Sequence, residues 1–96
     1  IDSGSTICSA AELLLDRGAT EVWAMATHGV LSGPATDRLK NSRIQRVVLT
    51  NTLPLPAEKQ IDKIEVLSIA PLIADALNAV FDDTSVSEIF GGENQG

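Results

Sequence analysis

The sequence predicts an α/β domain in which a parallel sheet carries helices on both faces, in three α/β/α layers. Short apolar runs alternate with amphipathic segments in the order α-β-α-β-loop-β-α. This alternation requires crossover connections and is typical of parallel sheets. The length of 96 residues allows one domain. A hydrophobic content of 44% with 21% charged residues is that of a folded globular protein.

The first half of the chain predicts one helix and one strand. Apolar residues recur at helical spacing along one face of residues 7–17. Ser5 or Thr6 is expected to cap this helix, and Gly18 is expected to end it. Residues 21–27 are nearly all apolar, which is typical of a strand covered on both faces.

The second half predicts a helix, two strands and a last helix. The sequence Ser32-Gly33-Pro34 opens a helix that runs to about Asn41, with the serine as its cap. Residues 45–50 and 64–69 form strands, joined by a loop rich in Pro and Lys that shows no clear helix. Pro71 begins the last helix.

The ends of the chain indicate a fragment. The first residues are Ile-Asp-Ser-Gly-Ser-Thr, so a turn motif begins at the second position without an initiator methionine. We expect residues 1–90 to be a partial domain whose N-terminal part lies upstream. Residues 91–96 read Gly-Gly-Glu-Asn-Gln-Gly and predict a disordered tail.

Composition excludes several classes of function. The net charge of −6 argues against nucleic acid and anionic membranes as partners, since both require a basic face. A single cysteine, Cys8, and a single histidine, His28, exclude a disulfide scaffold and a structural zinc site. No apolar run approaches the roughly 18 residues that span a bilayer. Without any targeting segment, the predicted location is the cytoplasm.

Three polar segments lie at the edge of the predicted sheet where parallel α/β proteins bind their ligands. They are residues 2–6, 27–29 and 50–52, at the carboxyl ends of strands or before a helix. Residues 2–6 are the most informative, because small polar residues lead directly into a helix N-terminus. Backbone N–H groups, hydroxyls and the helix dipole suit a phosphate monoester there. The same residues also fit an ordinary helix cap.

Five segments resemble one enzyme family, the ribose-phosphate pyrophosphokinases, also called phosphoribosyl-pyrophosphate synthetases. The loop Asp-Ser-Gly-Ser-Thr is the first, and residues 24–35 (Ala-Met-Ala-Thr-His-Gly-Val-Leu-Ser-Gly-Pro-Ala) are the second. Residues 47–54, 66–74 and 85–90 complete the set, in family order. The resemblance covers the chain to about residue 90.

The resemblance implies the C-terminal domain of such an enzyme, with a type I phosphoribosyltransferase-like fold. The family reaction moves a diphosphate group from ATP to ribose 5-phosphate, gives phosphoribosyl pyrophosphate and AMP, and requires Mg²⁺. By resemblance, the 5-phosphate is bound by Asp2, Ser3, Gly4, Ser5 and Thr6. The negative charge of Asp2 implies a contact through its backbone or to a sugar hydroxyl.

The resemblance also implies regulation and assembly. Ser85, Ser87 and Phe90 match a segment of the family's regulatory site for phosphate and ADP, and the family forms hexamers. The family's ATP site, metal ligands and catalytic loop lie upstream of Ile1. The chain alone is therefore predicted to be inactive, and no catalytic or metal-binding residue is assigned within it.

One departure from the family pattern keeps alternatives open. Ser5 stands where the family usually has glycine, and a positive φ there would cost serine about 1 kcal/mol. Ser5 favours a non-catalytic regulatory relative that acts as an interaction subunit. A phosphoribosyltransferase, which shares the loop, is a second alternative. We expect His28 to have a turn or packing role, and Cys8 to lie on the polar side of its helix.

Overall fold

A computed structural model of the chain, described here for residues 1–82, contains a parallel sheet with three strands in the order β1-β2-β3. The predicted alternation is confirmed by the elements in chain order: α1 (Ser5–Asp16), β1 (Trp23–Ala26), α2 (Ala35–Lys40), β2 (Arg46–Thr50), a 3₁₀ turn (Ala57–Lys59), β3 (Ile64–Leu67) and α3 (Ala70–Phe81). The predicted regulatory residues Ser85, Ser87 and Phe90 and the predicted tail at 91–96 lie outside the described residues.

The hydrophobic core lies on one side of the sheet, which we call the core face. Alternate residues of the two paired strands point to it, and Ala24 and Val47 are register partners. Ala24, Val47 and Leu49 are all buried there. Helices α1 and α2 cover this face through buried residues that belong to the same cluster: Ala11, Ala35 and Leu39.

The opposite side of the sheet, the outer face, carries Trp23, Met25 and Leu67. These side chains are 48%, 68% and 51% exposed. The prediction that β1 is covered on both faces is therefore wrong, because α1 and α2 both pack on the core face. The Arg46 guanidinium lies 5.6 Å from the centre of the Trp23 ring and adds a partial polar cover.

The two ends of α1 use glycine rather than side-chain caps. The N-cap is Gly4, and no side chain bonds to the open N–H groups, so the predicted caps Ser5 and Thr6 are wrong. Both residues lie inside the helix. Gly18 does follow the last turn, as predicted, with a φ of 109° that suits glycine. The N–H of Ala19 donates to Leu14 across that turn at 3.0 Å, which satisfies a terminal carbonyl.

The predicted cap of α2 is also wrong. Pro34 is the N-cap, without a side-chain hydrogen bond, and Ser32 directs its hydroxyl to the carboxylate of Asp2 instead. The start of α2 is thereby connected to the first residues of the chain. No helix within residues 1–82 is long and apolar enough to cross a membrane.

Candidate functional site

The polar loop of residues 2–6 runs into the N-terminus of α1 through a left-handed residue. Gly4 has φ 81° and ψ −4°, and Ser5 begins the helix. The first helical hydrogen bond runs from the N–H of Cys8 to the Gly4 carbonyl at 3.0 Å. The N–H groups of Gly4 and of the first three helical residues therefore have no acceptor within the helix. Successive N–H groups in left- and right-handed conformations form an anion-binding concavity.

Hydroxyl groups surround these free N–H groups. Ser3, Ser5 and Thr6 are exposed, and the Oγ atoms of Ser3 and Ser5 lie 3.3 Å apart. A cavity of about 460 Å³ opens beside the loop, lined by residues 1–4, Thr6, Ile7 and Ala10. Four of the five predicted binding residues, Asp2, Ser3, Gly4 and Thr6, therefore line one open cavity, and Ser5 is exposed beside it.

The backbone before this loop is held by the segment that follows β1. The Ile1 carbonyl accepts hydrogen bonds from the N–H groups of Val30 (3.0 Å) and Leu31 (3.2 Å), and the Asp2 carbonyl accepts one from Ser32 (3.1 Å). The Asp2 carboxylate accepts the Ser32 hydroxyl as well. Since this carboxylate already has a partner within the protein, the loop offers its backbone and hydroxyl donors as the free groups.

Leu31 occupies an unusual backbone conformation at this junction. Its φ is 52°, and its side chain is fully buried. A left-handed conformation costs a non-glycine residue about 1–2 kcal/mol, which burial of a leucine side chain, worth about 1.5–3 kcal/mol, offsets. The strained turn directs the next residue, Ser32, to Asp2.

Arg38 is the residue at this site that sequence reasoning missed. Its Nη1 donates to the carbonyl of Ser3 at 2.8 Å, and the side chain is half-buried. The sequence places Arg38 in α2, 35 positions from Ser3, among basic residues that show no clustering. Only the packing of α2 beside α1 brings the guanidinium to the loop, so no local pattern could have identified it.

The other two predicted segments, at the carboxyl ends of β1 and β2, are bonded to each other. The His28 Nδ1 lies 2.7 Å from the Thr52 Oγ1, and the Thr52 hydroxyl donates to the Thr27 carbonyl at 3.0 Å. The Thr50 hydroxyl donates to the same carbonyl. His28 thus fixes two loops against each other, which matches the packing role expected for it.

The serine at position 5, where the family usually has glycine, does not strain the backbone. Within residues 1–82, Leu31 is the one non-glycine residue with a positive φ, so Ser5 is free of left-handed strain. Ser5 is the first residue of α1, where serine is well tolerated. The position that requires glycine is Gly4, one residue earlier, and this sequence has glycine there.

Cys8 does not lie on a polar side of α1, so that prediction is wrong. The side chain is half-buried and packs against the core cluster. Its Sγ lies 3.8 Å from the carbonyl oxygen of Arg38. Cys8 therefore contributes to the contact between α1 and α2.

The one resolved pKa shift in residues 1–82 belongs to Arg43, which lies away from the loop. Hydrogen bonds from Arg43 to Glu12 (3.0 Å) and Asp16 (3.2 Å) raise the pKa of the Arg43 guanidinium, on the exposed side of α1. Residues 1–82 contain no group of three or more His, Cys, Asp or Glu side chains that could hold a metal ion.

The fold and the loop define a class: a parallel α/β domain of the phosphoribosyltransferase type, with a concavity of backbone donors at the start of a helix. Residues 1–91 match the family described as "Phosphoribosyl synthetase-associated domain". The chain belongs to this family.

Individual relatives agree with the family match. The chain is 59% identical to the ribose-phosphate pyrophosphokinase of Streptomyces avermitilis and 58% identical to that of Caldanaerobacter subterraneus, over 94% of its length in both cases. The chain spans 28% of the length of either relative. The crystal structure of phosphoribosylpyrophosphate synthetase from Mycobacterium smegmatis superposes with a TM-score of 0.81 and 48% identity. That match covers 86% of this chain and 28% of the mycobacterial chain. The predicted family resemblance and the predicted parallel α/β fold of the phosphoribosyltransferase type are confirmed. Within residues 1–82, α1 and α2 cover one face of the sheet.

Proposed function

We propose that this chain is the ribose-5-phosphate-binding part of a ribose-phosphate pyrophosphokinase. The enzyme would transfer a diphosphate group from ATP to the 1-hydroxyl of ribose 5-phosphate and release phosphoribosyl pyrophosphate and AMP. The observation that carries the proposal is the left-handed Gly4 before α1, where the N–H groups of Gly4 and of the first helical residues have no acceptor within the helix. Identity of 50% or more to several enzymes of that name supports the same function.

In this proposal the protein binds the 5-phosphate by neutral donors and a helix dipole. Gly4, Ser5 and Thr6 provide backbone N–H groups, and the hydroxyls of Ser3, Ser5 and Thr6 provide further donors. Partial positive charge at the N-terminus of α1 favours a dianion. Asp2 contributes through its backbone, because its carboxylate accepts the Ser32 hydroxyl.

The remaining parts of the reaction need groups from elsewhere. Phosphoryl-type transfer depends on a metal ion and cationic side chains that stabilise developing charge. Residues 1–82 contain no group of three or more side chains that could hold a metal ion. We place Mg²⁺, ATP and the catalytic loop in other parts of the full-length enzyme. We also propose a cytoplasmic homo-oligomer, a hexamer by family resemblance, with Ser85, Ser87 and Phe90 in a regulatory site.

The non-catalytic relative gains no support from the backbone of Ser5. That residue adopts an ordinary helical conformation. No observation in residues 1–82 favours a phosphoribosyltransferase over a pyrophosphokinase. The pyrophosphokinase is therefore the function that we propose.

Titration calorimetry with ribose 5-phosphate tests the binding proposal. We expect saturable binding of ribose 5-phosphate and none of ribose, because the donors recognise the phosphate. Thr6→Val, which removes one hydroxyl of the loop, should weaken binding by about threefold to tenfold, the loss typical of one hydrogen bond. Thr20→Val removes an exposed hydroxyl outside the site and is the matched control. Equal affinities for ribose and ribose 5-phosphate would refute the proposal.

An activity assay tests whether catalysis requires parts of the enzyme outside this chain. We expect the purified chain to produce no phosphoribosyl pyrophosphate from ATP, Mg²⁺ and ribose 5-phosphate, because residues 1–82 lack a metal-ligand cluster. The full-length enzyme serves as the positive control. Turnover by the chain, in a preparation shown by mass spectrometry to be free of longer protein, would contradict this expectation.

A further inference from the structure

Within the polar loop of residues 2–6, the peptide between Ser3 and Gly4 is bonded to a side chain from another element of the fold. Its carbonyl oxygen accepts a hydrogen bond from the Nη1 of Arg38 at 2.8 Å. Arg38 lies in α2, so this bond connects two helices through the loop. A bond to a charged donor is among the stronger hydrogen bonds in proteins.

The orientation of this peptide decides which group faces an anion. No peptide bond in residues 1–82 is cis, and in a planar trans peptide the C=O and N–H bonds point in opposite directions. The Arg38 guanidinium therefore holds the Gly4 N–H on the side away from α2. Rotation of the same peptide would replace that donor by the Ser3 carbonyl oxygen, which repels a phosphate.

Gly4 makes such a rotation accessible. Glycine adopts positive and negative φ about equally well, so its left-handed conformation is not fixed by its own sterics. The space around Gly4 is also permissive, since a Cβ atom there would come no closer than 3.8 Å to Leu39. The conformation of the loop thus depends on groups outside it, and Arg38 supplies a charged one.

We propose that Arg38 is a positioning residue for ribose 5-phosphate, which fixes the Ser3–Gly4 peptide with its N–H directed to the phosphate. This inference rests on the proposed function of the loop. The positive charge of Arg38 also lowers the electrostatic cost of bringing a dianion to a protein with a net charge of −6.

Affinity for ribose 5-phosphate and the Gly4 amide resonance test this role together. Arg38→Met should weaken binding by about tenfold or more, the loss expected for one charge-assisted hydrogen bond. In the wild type, ribose 5-phosphate should move the Gly4 amide proton resonance downfield in a ¹H–¹⁵N spectrum. In Arg38→Met this movement should be lost, while the spectrum remains that of a folded protein.

Two further variants complete the design. Arg43→Met removes the same charge from the exposed bridge to Glu12 and Asp16 and should bind ribose 5-phosphate like the wild type. Arg38→Lys keeps the charge and the aliphatic stem, so it should fold and bind with an affinity between those of wild type and Arg38→Met. Its Gly4 resonance should also shift less than in the wild type.

The outcomes separate this inference from the proposed function. If the wild type binds ribose 5-phosphate and folded Arg38→Met binds it equally well, Arg38 has no positioning role. If Arg38→Met unfolds while Arg38→Lys retains wild-type affinity and an unchanged Gly4 response, the role is structural only and the inference is refuted. If the wild type itself fails to bind, the proposed function falls and the inference falls with it.

Discussion

Two glycines at the site differ in the reason that each must be glycine. Gly4 is required by its backbone, because φ is 81° while the space for a side chain is sufficient. Gly29 is required by packing, because a Cβ atom there would lie 2.5 Å from the Leu49 Cδ1. The two positions therefore predict different consequences for the same substitution.

Gly4→Ala should reduce both stability and phosphate binding. Alanine in the left-handed region costs about 1–2 kcal/mol, and relief of that cost would move the N–H groups of the loop. Gly18→Ala is the matched control, since its φ is 109° with open space around it and it lies at the far end of α1. Urea unfolding should show similar losses for both variants. Calorimetry should show weakened ribose 5-phosphate binding for Gly4→Ala alone, and equal binding by both would contradict the prediction.

Gly29→Ala should destabilise the protein without altering the loop directly. The clash with Leu49, which is 2% exposed, is an overpacking defect that typically costs about 1–3 kcal/mol. A double variant with Leu49→Ala supplies the control, because the truncated side chain makes room for the new methyl group. We expect the free energies of unfolding to be less than additive. Strict additivity would show that the contact does not limit stability.

Helix α2 is short, and a half-buried cation contacts its C-terminal end. The Lys63 ammonium donates to the carbonyl oxygens of Leu39 and Ser42, each at 2.8 Å. Both carbonyls lie at or just beyond the C-terminal end of the helix, and the Leu39 carbonyl also accepts the N–H (3.1 Å) and the hydroxyl (2.7 Å) of Ser42. Lys63 thereby connects the loop before β3 to the helix that carries Arg38.

Lys63→Met should destabilise α2 more than a comparable surface change. Loss of hydrogen bonds to a charged donor costs about 1.5–3 kcal/mol, and the partly buried Ser42 carbonyl loses its bond to the ammonium. Lys59→Met is the matched control, since the Lys59 Nζ makes one exposed contact of 3.4 Å to Val30. Urea unfolding measures both variants. A Lys63→Met variant as stable as Lys59→Met would exclude this role for Lys63.

The sequence predicts the element order because apolar periodicity is a local property. Alternating burial in β2 and the helical spacing in α1 both follow from residues a few positions apart. The predicted capping residues are wrong, because Gly4 takes the cap position and Ser32 bonds to Asp2. Contacts such as Arg38 with Ser3 join residues distant in the chain, so they depend on helix packing that no local pattern contains. The loop itself was predictable, since small polar residues before a helix have a direct physical use.

At the scale of the whole molecule, the sheet has one covered and one open face. Trp23, Met25 and Leu67 on the outer face are each about half exposed or more. Exposed apolar surface of this kind is typical of interaction sites. The chain spans 28% of the curated relatives that it matches, so surface covered in a longer protein is expected to be open in this one.

We therefore expect the chain to self-associate through the outer face. Met25→Lys places a charge at the most exposed of these three side chains and should shift the population toward monomer in sedimentation velocity, because a buried charge at an interface is costly. Leu13→Lys, at an exposed position of α1 away from this face, is the matched control and should leave the distribution unchanged. Tryptophan fluorescence reports the same event, because Trp23 is the single tryptophan and its emission should move to shorter wavelength with concentration. A wild-type chain that sediments as a monomer at all concentrations, with constant Trp23 emission, would show that the outer face is stable in water.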